Sequence, residues 1–130
     1  MIDHIDETLA QWRSTPFEWG KRDCLLSIAD YVASRTGEDW GDRFRGTYDN
    51  EAGAIAHIKN YGGEEYLIDR SGLQWTRKPV RGDIVLFQLG DDERKYAAIC
   101  TGDAVAVRME KGVKEISMKF TTILCAWKVP

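Results

Sequence analysis

The 130-residue chain has little of what would mark a membrane span, a secreted scaffold or a metal site. It holds no run of about 18 apolar residues, the length a bilayer crossing needs, so no membrane insertion is expected. Its opening, MIDHIDETLAQW, is amphipathic and charged, unlike a signal peptide, which points to a soluble protein made in a cytoplasm. The three cysteines, Cys24, Cys100 and Cys125, are odd in number and show no CxxC spacing. Reduced thiols follow, and His4 and His57 are not placed to complete a zinc site, so no metal and no cofactor are expected. With a net charge of −3 and dispersed Lys and Arg, there is no basic patch to track phosphates, which argues against nucleic acid. What remains, 43% hydrophobic residues with five Trp, suffices for a real core in a single domain spanning 1–130.

The stretch FEWGKRDCLLSIADYV, Phe17 to Val32, organises the rest. Asp23 reads as an N-cap, with Cys24 at the first position of a helix that runs to Thr36 and stops at Gly37. The positive end of the helix dipole, with Lys21 and Arg22 just upstream, is expected to lower the Cys24 pKa and favour the thiolate. Leu25, Ile28, Ala29 and Val32 share the buried helix face, and Cys24 lies at its edge, where it could open onto a cleft. The alternative is that Cys24 is a small buried hydrophobe.

Before this helix, Ile2, Ile5, Leu9 and Trp12 predict a short helix over 2–12, ended by Pro16. After it, EDWGDRFRGTYDN predicts an irregular loop anchored by Trp40, Phe44 and Tyr48. Asn50 then caps a third helix whose Ala54, Ile55 and Ile58 face inward, with His57 off that face and an end at Gly62–Gly63. One further helical turn is expected from Glu64 to Arg70. From residue 79 the pattern changes to short β-branched and aromatic runs, RGDIVLFQL, YAAIC, AVAVRM, VKEISM and ILCAWKV, split by hairpin-like turns. The reading is an α+β domain, in which helices over residues 1–78 pack on strands over residues 79–130 that form a small antiparallel barrel or meander. RGD at Arg81 to Asp83 is a strand entry in which the Asp83 side chain bonds backbone amides.

Trp19-Gly20, then Asp23-Cys24 at a helix start, Gly82-Asp83-Ile84-Val85, and a strand ending Thr101-Gly102-Asp103 resemble, in order and spacing, the NlpC-like branch of the papain-like cysteine peptidases. That resemblance implies a papain-like fold and a Cys24 nucleophile. The family's general-base histidine falls on Tyr96, and its orienting residue falls near Arg108, a pure hydrogen-bond donor. Tyr96, with an ordinary pKa of about 10, is a poor base at neutral pH. The family position for the residues after Asp-Cys is also altered, to Leu25-Leu26-Ser27. The resemblance therefore implies a degenerate triad.

A second likeness, carried by PFEWGxxDC, FRGxY, EAGA, RGDIVL and the AWKV ending, is to small phage and prophage proteins of unknown function whose genes lie in tail-assembly clusters. It implies a structural or assembly protein of a phage tail tip or baseplate, located in the virion, in several copies, with other tail proteins as partners. Trp19, Asp23, Trp40 and Tyr48 are its candidate binding residues, and Phe44 and Trp75 further aromatic contacts. The alternative is an active cysteine hydrolase cutting cell-wall peptide, amide or thioester bonds through Cys24 with a non-standard base.

Overall fold

In the computed structural model, which describes residues 3–130, three helices begin where a side chain accepts their free amide protons. Asp3 accepts from the Asp6 amide at the start of α1 (His4–Ser14), Asp23 from Leu26 at α2 (Cys24–Thr36), and Asn50 from Gly53 at α3 (Glu51–Asn60). α1 starts two residues later than the sequence suggests, because Asp3 supplies the cap, and runs two residues further, to Ser14. Ile2 lies outside the described residues, while Leu9 and Trp12 are buried as expected. α2 has the predicted bounds and ends at Gly37, whose φ of 81° and bond to the Ala33 carbonyl close the last turn. A short α4 (Glu64–Asp69) follows α3, and the loop between α2 and α3 contains one 3-10 turn, Asp42–Phe44. Ile55, expected inward, is 55% exposed; only Ala54 of the three is fully buried.

The strands are β1 (Ile84–Leu89), β2 (Tyr96–Cys100), β3 (Ala104–Met109), β4 (Gly112–Ser117) and β5 (Thr121–Trp127). They form one antiparallel sheet in the order β4-β3-β2-β1-β5. This corrects the expected barrel: β4 and β5 are opposite edges and the sheet does not close. It is not a plain meander either, because β5 returns past three strands to pair with β1. In that pairing Leu86 faces Cys125 while Phe87 faces Ile123, so Leu124 is the extra residue of a bulge.

Strand alternation builds two cores. Ile84, Leu86, Ala97, Ile99, Ala106 and Trp127 belong to the cluster shared with the helices. Val85, Phe87, Ala98, Cys100, Val105, Val107 and Ala126 form a second cluster, against which pack partly buried apolar residues of the strands and Met118 of the Met118–Phe120 turn. Its members are buried to 1% exposure or less without a helix over them, so the sheet must curl around that face. Asp83 fixes the entry to β1, accepting from the Val80 and Val129 amides, and the Tyr31 hydroxyl donates to the Gly82 carbonyl at 2.6 Å, tying α2 to the same corner.

At that corner Arg81 donates to Asp3, the cap of α1, to Asp6 on α1 and to the Thr101 carbonyl. The guanidinium, with the Asp6 amide, lowers the Asp3 pKa from 3.8 to about 2. A depressed carboxyl pKa adds stability that is present above the ordinary value and is lost as pH falls through the folded one. The melting-temperature advantage of the wild type over Arg81→Ala is therefore expected to shrink from about pH 5 to pH 2. An advantage independent of pH would show that the pair contributes nothing through charge.

Candidate functional site

The turn before α2 is built around one carboxylate. Asp23 is 1% exposed; its Oδ1 accepts from the Leu26 amide, and its Oδ2 from the Gly20 amide at 2.9 Å and the Tyr48 hydroxyl at 2.6 Å. Gly20 has a φ of 83°, and a Cβ there would sit 2.1 Å from the Tyr48 carbonyl oxygen. The Trp-Gly and Asp-Cys pieces of the motif thus form a single folded unit, which sets where Cys24 emerges.

Cys24 lines two cavities, of about 600 Å³ and 440 Å³, whose walls share Trp19, Cys24, Glu51, Arg94 and Tyr96. They are two arms of one groove, with Cys24 at their junction. The larger arm runs over Leu25, Ala54, Ile55, Ile58 and Ala97; the smaller lies against Arg108 and the β3–β4 hairpin. The opening onto a cleft is as the helix position suggests. The thiolate is not: burial pushes the Cys24 thiol up to about 12, and the Asp23 carboxylate adds to the rise. The two upstream cations that were to lower it are paired with Glu18, Lys21 at 3.1 Å and Arg22 at 3.0 Å.

No histidine lines either arm. His57 lies against the Tyr48 ring, and His4 bonds the Ser34 hydroxyl at 2.8 Å. Tyr96 lines both arms, but its ring stacks on Phe87 in the second core and its hydroxyl donates to Asp92 at 3.0 Å. Burial and Asp92 raise its pKa, which removes it further from a base's role. Arg108 is 4% exposed and donates to the Ser27 hydroxyl and to the Thr15 carbonyl and hydroxyl. It holds β3 to α2 and to the loop before it. Among the described residues Cys24 has no disulfide, and no cluster of His, Cys, Asp and Glu is arranged to hold a metal.

The candidate binding residues divide. Trp19 sits in the groove, edge-on to Phe17. Asp23 and Tyr48 are interior, as is Phe44 at 2% exposure, so these three are not surface contacts. The polar loop after α2 turns Phe44 and Tyr48 inward into the core shared with α2, with Phe44 edge-on to Tyr61. Trp40 is half-buried beside Phe44 and Tyr61, and Trp75 is 51% exposed over Trp127. Sequence reasoning missed Glu51, Glu64, Arg94 and Lys95, which bring charge to the rim. Glu51 and Glu64 open α3 and α4, and Arg94 reaches Glu51 at 3.4 Å from the β1–β2 turn. Burial raises the Glu64 pKa against the pull of Lys95. Glu51, just after the predicted cap Asn50, is visible in sequence; that the starts of α3 and α4 converge on Cys24 is not.

Chemically, the groove can hold a ligand beside a thiol whose pKa burial raises, and the titratable side chains it brings to that thiol include carboxylates such as Glu64 and no imidazole. A family model described as a domain of unknown function (DUF6950) matches residues 2–129. No curated protein and no solved structure matches the chain.

Proposed function

The chain belongs to the DUF6950 family, and from that premise we propose that it is a docking protein whose groove derives from a cysteine-peptidase cleft and no longer catalyses. One observation carries this reading: Cys24 stands at the junction of an open groove that no imidazole lines, where burial raises its thiol pKa. Amide cleavage needs a base to activate the thiol and then an acid to release the amine. Tyr96 and Arg108, at the positions where an NlpC-like enzyme would carry its base and orienting residue, are committed to Asp92 and to Ser27 and Thr15. The motif order from Trp19 to Asp103 supports descent from that branch. The likeness to tail-cluster proteins supports a place in a phage tail tip or baseplate, in several copies within the virion, bound to other tail proteins.

Alkylation of Cys24 by iodoacetamide, followed by mass spectrometry against a Cys24→Ser control, tests the reading. Reaction is expected to be slow at neutral pH, with an apparent midpoint well above the ordinary thiol value of about 8.5. A fast reaction with a midpoint below about 7 would overturn it in favour of a cysteine hydrolase.

A further inference from the structure

Arg108 is a cation without an anion. Its guanidinium is almost wholly buried, yet all three of its hydrogen bonds go to neutral oxygens, and among the described residues no carboxylate lies within ion-pair distance. The two acids whose charge acts on it are engaged elsewhere, Asp23 with Gly20, Leu26 and Tyr48, and Asp30 with Arg45 at 2.6 Å. A buried guanidinium is costly unless a counter-charge completes it. Arg108 lines the 440 Å³ arm of the groove, whose other charged residues are Glu51, paired with Arg94, and, on the β3–β4 hairpin, Lys111 and Lys114 opposed by Glu110, so that positive charge prevails there.

We propose that this arm receives the terminal carboxylate of a partner polypeptide, paired with Arg108, while an apolar residue upstream lies across Cys24 in the 600 Å³ arm. Arg108 carries five N–H donors, of which the bonds to Ser27 and Thr15 use three, so a carboxylate can accept from a remaining N–H while supplying the missing negative charge. The larger arm takes an apolar side chain between Trp19, Leu25, Ala54 and Ile58. Its rim carries Lys59, Glu64, Glu93 and Lys95, of both signs, which can bond main-chain amides and would be left bare by a simple alkyl chain. That mixture selects a polypeptide end over a fatty acid. The assignment rests on the docking reading and names what docks.

The test is a titration of the full chain with acetyl-Ser-Leu-Val-Leu as the free acid, its C-terminal amide and octanoate, followed by calorimetry and by mass spectrometry of the peptide. The acid is expected to bind at least tenfold more tightly than the amide and than octanoate. Arg108→Gln should abolish that preference, and Lys111→Glu with Lys114→Glu, on the exposed rim, should weaken acid binding several-fold even if Arg108→Gln fails to fold. Equal binding of acid and amide, or no binding of the acid at millimolar concentration, would overturn this inference alone. Tighter binding of octanoate would overturn the polypeptide assignment. Cleavage of the peptide would overturn the docking reading and this inference with it.

Discussion

Asp23→Ala is expected to lower the free energy of unfolding by about 3–7 kcal/mol, a large share of what a domain of this size has. The loss has three sources. Removing the helix cap costs about 1 kcal/mol. The Gly20 amide and the Tyr48 hydroxyl, both bonded to Oδ2, are then left buried without an acceptor, at about 1–3 kcal/mol each. Asp23→Asn should fall between, since its amide oxygen can still cap Leu26 while its NH₂ faces two donors. Cys24→Ala, one residue along, should change stability by less than about 1 kcal/mol. Urea unfolding of the four proteins at constant m-value decides the matter. If Cys24→Ala proved the costlier change, the motif would be organised around the thiol and not around the carboxylate.

Gly20→Ala should cost about 3 kcal/mol or more for a different reason. A left-handed backbone alone destabilises an alanine by about 1–2 kcal/mol. Here the new Cβ would also stand 2.1 Å from a backbone oxygen, that of Tyr48, which cannot swing aside as a side chain would. The turn must open, and the Asp23 bonds open with it. Gly37, with a φ of 81° and no atom within 4 Å of the same Cβ, supplies the control: Gly37→Ala should carry the backbone cost only, about 1–2 kcal/mol. Because Gly20 and Asp23 share one hydrogen bond, the double variant should lose less than the sum of the two. Equal losses at Gly20 and Gly37 would mean that the close approach to Tyr48 does not constrain the fold.

How much of this was legible in the sequence depends on how local the signal was. Asp23, Gly37 and Asn50 mark helix ends through bonds that reach only three or four residues, and the helices sit where those residues place them. The strand runs were legible too, since alternation is written along each segment. What no segment contains is its partner: that β5 pairs with β1, which leaves the sheet open, is a contact across the chain. The site failed at the same scale. Lys21 and Arg22 read as cations beside a thiol until Glu18, at helix-like spacing, is seen to take both. Tyr96 reads as a base position, yet its ring lies with Phe87 on the sheet face away from the helices, a matter of strand phase in which one residue reverses the side. Tyr48 and Phe44 carried aromatic signals that do not distinguish an interface from a core.

The return of β5 to β1 has a consequence for the order in which the chain comes together. β1 gains β2 across a short turn, but its other neighbour lies roughly thirty residues further on, and closing a flexible loop of that length costs about 3 kcal/mol of chain entropy. Formation of β2, β3 and β4 as successive hairpins removes most of that distance, so the route of lowest entropic cost puts the local pairings first and β5 last. β5 carries Trp127 and Cys125 into one core and Ala126 into the other. Both interiors are therefore sealed in one late event, by the strand whose bulge at Leu124 fits it to the curled edge it has to meet.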